Sequence, residues 1–251
     1  MHFRNLVKTI KKRPVIAVVA AVVVAAVVVI AVVVWSRKKT SKKSSFEMFT
    51  SSPVCGGVYH RVIPGFLSDE QCDALTIAAT RKGMVPSQVG GAFDETTYDE
   101  SIRNSTQTWF GPGDHHVTDA IASKTKDLVS NTGCAGSLPI SMEHIQVARY
   151  GPSGKYDAHY DGDPCGGPDE PACPTDQRFA TLLVYLADDF EGGHTNFPLL
   201  GETVTPKKGT ALFFWVADPA SGELFEKTLH AGMPVTKGTK WIANQWIRRT
   251  S

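Results

Sequence analysis

Hydrophobic positions fall into three regimes along this chain. Residues 15–35 contain no charged residue at all: the run is Val, Ala and Ile, closed by Trp35. At 1.5 Å per residue, a helix of this length spans about 31 Å, the thickness of a bilayer core. Basic clusters bracket it and no small-residue cleavage site follows, so it reads as an uncleaved signal anchor rather than a signal peptide. Further on, apolar positions recur at helical spacing. Ser68 with Gln71 makes a capping box, Cys72, Leu75 and Ala79 share one face, and Gly83 closes the helix. A second helix is expected over 114–130, with Val117, Ile121 and Leu128 inward and Gly133 as its stop. From Ile140 the pattern changes to short strands between Gly/Pro turns, clearest at 144–150, 178–186, 209–216, 228–235 and 240–248. Helices first and strands afterwards predict an α+β domain, mainly β: a barrel or sandwich buttressed by N-terminal helices.

These patterns divide the chain into a basic tail (1–13), a transmembrane helix (14–35), a Lys/Ser-rich stalk (36–50) and one globular domain (51–251). The globular part is long enough for one sizeable core. Charge sharpens the division. The formal net charge is +1, yet ten of the 26 Lys and Arg lie within residues 1–43, which hold none of the 25 acidic residues. The remainder therefore carries a net charge of −9. An acidic domain is a poor partner for phosphates, which excludes a nucleic-acid binder.

Five basic residues precede the apolar run and five follow it, so the positive-inside rule is nearly tied. The five cysteines (Cys55, Cys72, Cys134, Cys165 and Cys173) all lie beyond the run, and this tips the expectation toward an oxidising lumen. The chain is thus expected to be a single-pass type II protein of the endoplasmic reticulum membrane. Five is odd, so at least one thiol is unpaired or pairs with another chain, and the pairing stays open.

Candidate chemistry begins at His159-Tyr160-Asp161, where an imidazole and a carboxylate two residues apart share one side of an extended chain. His230 supplies a second imidazole. Two imidazoles and one carboxylate form a facial triad that holds Fe(II) and leaves positions open. Lys240 follows ten residues after His230, across the turn signal Thr236-Lys237-Gly238-Thr239. The two strands are expected to form a hairpin aiming both side chains into one barrel. Lys240, Ile242, Asn244 and Trp246 share a face by period two. His115 and His116 are assigned to helix capping, and His60, His144 and His194 to structural or exposed positions.

Several further pieces then line up. Arg103-Asn104-Ser105, the segment 143–150, Tyr156-Asp-Ala-His159-Tyr-Asp161, the strand 178–186, Phe190-Glu-Gly-Gly-His-Thr-Asn-Phe-Pro198 and Leu229-His-Ala-Gly232 occur in order. In these the chain resembles the 2-oxoglutarate- and Fe(II)-dependent prolyl 4-hydroxylases, of the membrane-anchored plant, algal and algal-virus kind. The resemblance covers roughly 57–248. It implies a double-stranded β-helix (jelly-roll) fold, Fe(II), 2-oxoglutarate as cosubstrate, L-ascorbate, and a proline-rich peptide as substrate. By the same resemblance His159, Asp161 and His230 match the iron ligands, and Lys240 the partner of the distal cosubstrate carboxylate. Tyr150 and Thr195 match cosubstrate-binding positions. Arg178, Tyr156, Glu143 and Trp246 match positions lining the peptide groove. The chain departs from the family at His194, where Glu is usual. The sequon Asn104-Ser105-Thr106 is expected to be buried and unmodified. Two rival readings remain: a dioxygenase of the same type acting on lysine, with Glu143 as the carboxylate, or on a small molecule, and a membrane-tethered binding module with a degenerate site.

Overall fold

The computed structural model describes residues 59–90, 96–132, 138–165 and 172–250. The expected basic tail, transmembrane helix and stalk lie outside them, as do Cys55, Cys134 and Gly133. Among the described residues, no helix is long and apolar enough to cross a membrane.

Two helices carry the predicted faces. α1 (Asp69–Lys82) starts at Ser68, whose Oγ accepts from the Gln71 amide at 3.2 Å while Gln71 Oε1 accepts from the Ser68 amide at 3.0 Å. Two of the otherwise orphaned amide donors are thereby satisfied. Cys72, Leu75 and Ala79 are fully buried. α2 spans His116–Asn131, starting two residues and ending one residue later than the 114–130 expected. The cap is His115, whose Nδ1 accepts from the Val117 amide, so Asp114 stays outside the helix.

The strands are β1 (His60–Ile63), β2 (Val85–Pro86), β3 (Val89–Gly90), β4 (Thr96–Thr97), β5 (Thr106–Phe110), β6 (Ile140–Met142), β7 (Ile145–Tyr150), β8 (Tyr156–His159), β9 (Arg178–Tyr185), β10 (Glu191–Gly192), β11 (Thr195–Phe197), β12 (Glu202–Val204), β13 (Ala211–Trp215), β14 (His230–Gly232), β15 (Val235–Lys237) and β16 (Lys240–Arg249). A large sheet runs β1-β13-β9-β16-β7-β5-β2, with β6 also pairing β16. A smaller sheet runs β12-β11-β14-β8.

The large sheet is covered on both faces, which is why β9 and β13 read as continuous apolar runs rather than alternating ones. Leu182, Val184, Ala243 and Ile247 join Leu75, Ile121 and Leu128 in a core beneath the helices. Leu183, Tyr185, Phe214 and Ile242 turn the other way and meet Phe197 and Val204 of the small sheet inside the barrel. This two-sheet, helix-backed arrangement is the jelly-roll expected.

One expectation fails in an informative way. The single strand expected over 228–235 is a 3-10 turn (Glu226–Thr228), then β14, a break at Met233-Pro234, and β15. Pro234 has no amide to continue a ladder. β14 pairs β8 and β11 in the small sheet, whereas β16 pairs β7 and β9 in the large one. His230 and Lys240 therefore do not belong to one hairpin. They come from opposing sheets and meet across the interior.

Candidate active site

The barrel interior opens to a pocket lined by Tyr150, Tyr156, His159, Asp161, Thr195, His230, Lys240 and Trp246. His159 ends β8, and in the β8–β14 register it lies directly opposite His230. Asp161 sits beyond the strand, in a bend, so a turn of the chain rather than strand alternation brings its carboxylate back to the imidazoles. Nε2 of His159 is 3.5 Å from Asp161 Oδ1, and Nε2 of His230 is 3.7 Å from Oδ2. One donor atom from each residue lies within 4.8 Å of the other two.

The surroundings prepare these three side chains as ligands. Nδ1 of His159 is 2.8 Å from the Asp157 carbonyl and Nδ1 of His230 is 3.0 Å from that of Thr228. A carbonyl can only accept, so each Nδ1 carries the proton and each Nε2 presents its lone pair to the centre. Burial, with His159 alongside, pushes His230 down to about 4, which keeps it a neutral imidazole at physiological pH. Burial opposes the charge on Asp161, but the facing His230 and His159 and a 2.7 Å bond from Thr181 Oγ1 hold its carboxyl well below the usual range. The donor set of two imidazoles and one carboxylate fits a divalent iron. Among the described residues no fourth His, Cys, Asp or Glu joins it, so coordination positions remain for other ligands.

Lys240 is 3% exposed, and Nζ donates to the Gly193 carbonyl at 2.7 Å. Gly193 is at φ +64°, and a Cβ there would stand 2.8 Å from the Phe190 ring and 3.2 Å from Lys240 Cδ. Only glycine brings its carbonyl this close. Among the described residues no carboxylate pairs with Lys240, and burial lowers it to about 7. A buried cation without a counter-charge fits the far carboxylate of a dicarboxylate cosubstrate. Tyr150, opposite Lys240 in the β7–β16 register, and Thr195 line the same space.

The four positions expected in a peptide groove divide. Trp246 and Tyr156 line the pocket, and Tyr156 stacks on His159 at 3.6 Å between centroids. Arg178 and Glu143 instead form an ion pair beside it, with Nε and Nη2 donating to the two carboxylate oxygens at 2.5 and 2.7 Å. Arg248 Nε donates to the same carboxylate at 2.6 Å. Glu143 is thus already neutralised, which removes it as the acid that would recognise a substrate lysine. Arg178 Nη1 also donates to the Asp161 carbonyl, and its guanidinium lies 4.3 Å from the Trp246 ring.

Other residues were not singled out in advance. Tyr185, fully buried, shares a 2.8 Å hydrogen bond with Thr195 Oγ1 and so props the pocket wall that Thr195 forms. Thr181 anchors Asp161. Alternation within β9 already places Thr181, Leu183 and Tyr185 on one face, and that was the available signal. Arg103 lines the pocket, packs 4.6 Å from the Tyr156 ring and donates to Gln146. Its neighbour Asn104, expected to be buried, is exposed. His60 stacks on Phe197 and contacts Glu202, a structural position as expected. Cys165 and Cys173 form a disulfide beside the loop after Asp161, and Cys72 is a buried free thiol.

Comparison with known proteins agrees with this geometry. Residues 145–248 match the model of the 2OG-Fe(II) oxygenase superfamily. The crystal structure of a viral collagen prolyl hydroxylase from Paramecium bursaria Chlorella virus-1, in complex with 2-oxoglutarate, superimposes with a TM-score of 0.67 at 48% identity, covering 79% of this chain and 99% of that one. A prolyl 4-hydroxylase-like protein of Acanthamoeba polyphaga mimivirus is 38% identical over 153 residues, 60% of each chain. The alpha-1 subunit of prolyl 4-hydroxylase from Mus musculus is 38% identical over 171 residues, 66% of this chain but 29% of the mouse subunit. The chain thus spans 60% and 29% of the lengths of these last two relatives.

Proposed function

The chain belongs to the prolyl 4-hydroxylase family of the 2OG-Fe(II) oxygenase superfamily, and on that premise we propose that it hydroxylates peptidyl proline to 4-hydroxyproline. The carrying observation is the meeting, in one pocket, of the His159/Asp161/His230 donor set with the unpaired cation of Lys240. A degenerate binding module would have no reason to retain both.

His159, Asp161 and His230 would hold Fe(II), and Lys240 would receive the distal carboxylate of 2-oxoglutarate. Bound together, metal and cosubstrate supply the activation of O₂, with one oxygen atom going to succinate (formed with CO₂) and the other into a substrate C–H bond. The protein's part is position. The Asp157 and Thr228 carbonyls fix the imidazole orientations, Thr181 and Arg178 fix Asp161, and Tyr185 fixes Thr195. The Trp246 ring lines the pocket, with its Nε1 buried and without a partner among the described residues. A proline-rich peptide is already extended as polyproline II and loses little freedom on docking. Ascorbate would supply the electrons to return oxidised iron to Fe(II).

The test is turnover by the full chain with Fe(II), 2-oxoglutarate and a panel of proline-rich and lysine-containing peptides, read by mass and fragmentation. Oxygen on proline is expected. Oxygen only on lysine, or succinate with every peptide unmodified, would overturn the prolyl assignment. Alanine at His159, Asp161 or His230 should abolish both bound iron and turnover, and an active variant would refute the triad.

We further propose that 14–35 anchors the protein in the endoplasmic reticulum membrane with the catalytic domain in the lumen. The charge-free run, its basic flanks and the Cys165–Cys173 disulfide, which suits an oxidising space, support this. In sealed vesicles the domain should resist added protease until detergent is present; digestion without detergent would reverse the topology.

A further inference from the structure

Strand β5 alternates between two environments. Phe110 packs into the core beneath the helices, while Gln107 and Trp109 point the other way. In register, Trp109 lies opposite Gln146, and Gln146 lies opposite Asn244 of β16. Residues paired across neighbouring strands share one side of the sheet. Trp109 therefore belongs to the face that carries Ile242, Asn244 and Trp246 into the pocket. It is the outward continuation of that face. Trp246 is 6% exposed, whereas Trp109 is 36% exposed and contacts it at 5.9 Å between centroids. Val85 of β2, opposite Gln107 and 55% exposed, extends the same surface. Among the described residues no strand pairs the outer edge of β5 beyond Val85, so the indole stands at the open end of the shelf.

An exposed aromatic continuous with an active-site wall is apolar area without an occupant. We propose that Trp109 is a second substrate subsite, taking the pyrrolidine ring of a proline that flanks the residue being hydroxylated. The proposal rests on the prolyl hydroxylase reading above. The shelf favours proline for stated reasons. A pyrrolidine ring is compact, rich in C–H groups and conformationally restricted, so it covers an indole face at little entropic cost. Polyproline II makes three residues per turn, and flanking rings project to the side while the target ring enters the pocket. A flanking lysine or arginine suits the shelf less well, because the Arg178 guanidinium already lies against Trp246, with Arg248 on the far side of their shared Glu143.

The experiment compares two peptides with the same central target proline, one flanked by prolines and one by alanines, on the full chain. The readout is the ratio of their kcat/KM values. In the unsubstituted protein the proline-flanked peptide should be preferred; Trp109→Ala should reduce that preference roughly tenfold, and Trp109→Phe should keep most of it. A purely structural tryptophan would lower both kcat/KM values together and leave the ratio unchanged, which overturns the subsite. A third peptide with lysine flanks being preferred, and that preference being lost in Trp109→Ala, would also overturn it in favour of a cation site. If the unsubstituted protein hydroxylates neither proline peptide, the catalytic reading itself fails and the subsite with it. Thermal melting of both variants separates loss of fold from loss of selectivity.

Discussion

Lys240 shows how one side chain carries opposite consequences for stability and for binding. Its ammonium is buried with a single carbonyl acceptor, and burial lowers it from 10.5 to about 7. Between those two values the unfolded chain holds the proton and the folded chain does not, so stability without cosubstrate should rise with pH across this window. Below about 7 both states are protonated and the cost of the buried charge is fully present. Binding runs the other way. A dicarboxylate needs the charged form, so 2-oxoglutarate affinity should fall as pH rises above 7. Lys240→Met should therefore melt higher than the parent in the absence of cosubstrate. It should also bind 2-oxoglutarate weaker by roughly 150-fold to a few thousandfold, given about 3–5 kcal/mol for one side of a buried pair removed. Calorimetric titration and thermal melts across pH check both. Unchanged affinity would return Lys240 to a structural role.

Elements are tied together at this site by charge as well as by ladders. Glu143, just before β7, accepts from Arg178 at the start of β9 and from Arg248 near the end of β16. Burial alone would raise its carboxyl, yet the two guanidiniums hold it below its ordinary 4.5. The group is only partly buried, so the pair is discounted relative to a fully interior one. Glu143→Gln leaves two cations facing each other and should cost about 2–3 kcal/mol in denaturant unfolding at neutral pH. A carboxylate with a depressed folded value contributes above its unfolded value and loses that contribution as pH falls through the folded one. The deficit should accordingly shrink below about pH 4. An equal deficit at pH 3 and pH 7 would show that packing, not charge, is what the variant lost.

Over the whole described domain, two cores share one sheet and divide the work. The core beneath the helices contains Leu75, Leu128, Leu182 and Ile247, on the face of the large sheet opposite the one that carries Leu183, Tyr185 and Ile242 toward the barrel interior. The barrel core contains Phe197 and Phe214, whose rings stand 5.8 and 4.7 Å from that of His230. Leu75→Ala should cost about 2–5 kcal/mol of stability and leave iron content unchanged below the melting transition. Phe197→Ala should cost a comparable amount and also weaken iron binding, because it removes the wall that His230 and His60 pack against. Metal content per folded protein, measured well below each melting temperature, distinguishes the two.

Local chemistry was readable wherever it depends on neighbours in sequence. The capping box at Ser68, the buried face of α1 and the shared face of Lys240, Ile242, Asn244 and Trp246 follow from spacing and residue type, while residue type and the family resemblance picked out His159, Asp161 and His230 although Asp161 lies beyond its strand. Local chemistry could not decide which strands would be neighbours. A turn signal between His230 and Lys240 looks like a hairpin, and only the long-range pairing of β14 with β8 and of β16 with β9 sends them to opposite sheets. The same pairing brings Glu143 to two arginines and Tyr185 to Thr195, and it leaves Asn104 exposed beside a buried Arg103. Register across a sheet is set by the summed burial of both faces, a property of the assembled layers, so the partner of each polar side chain is decided only when the sheets close.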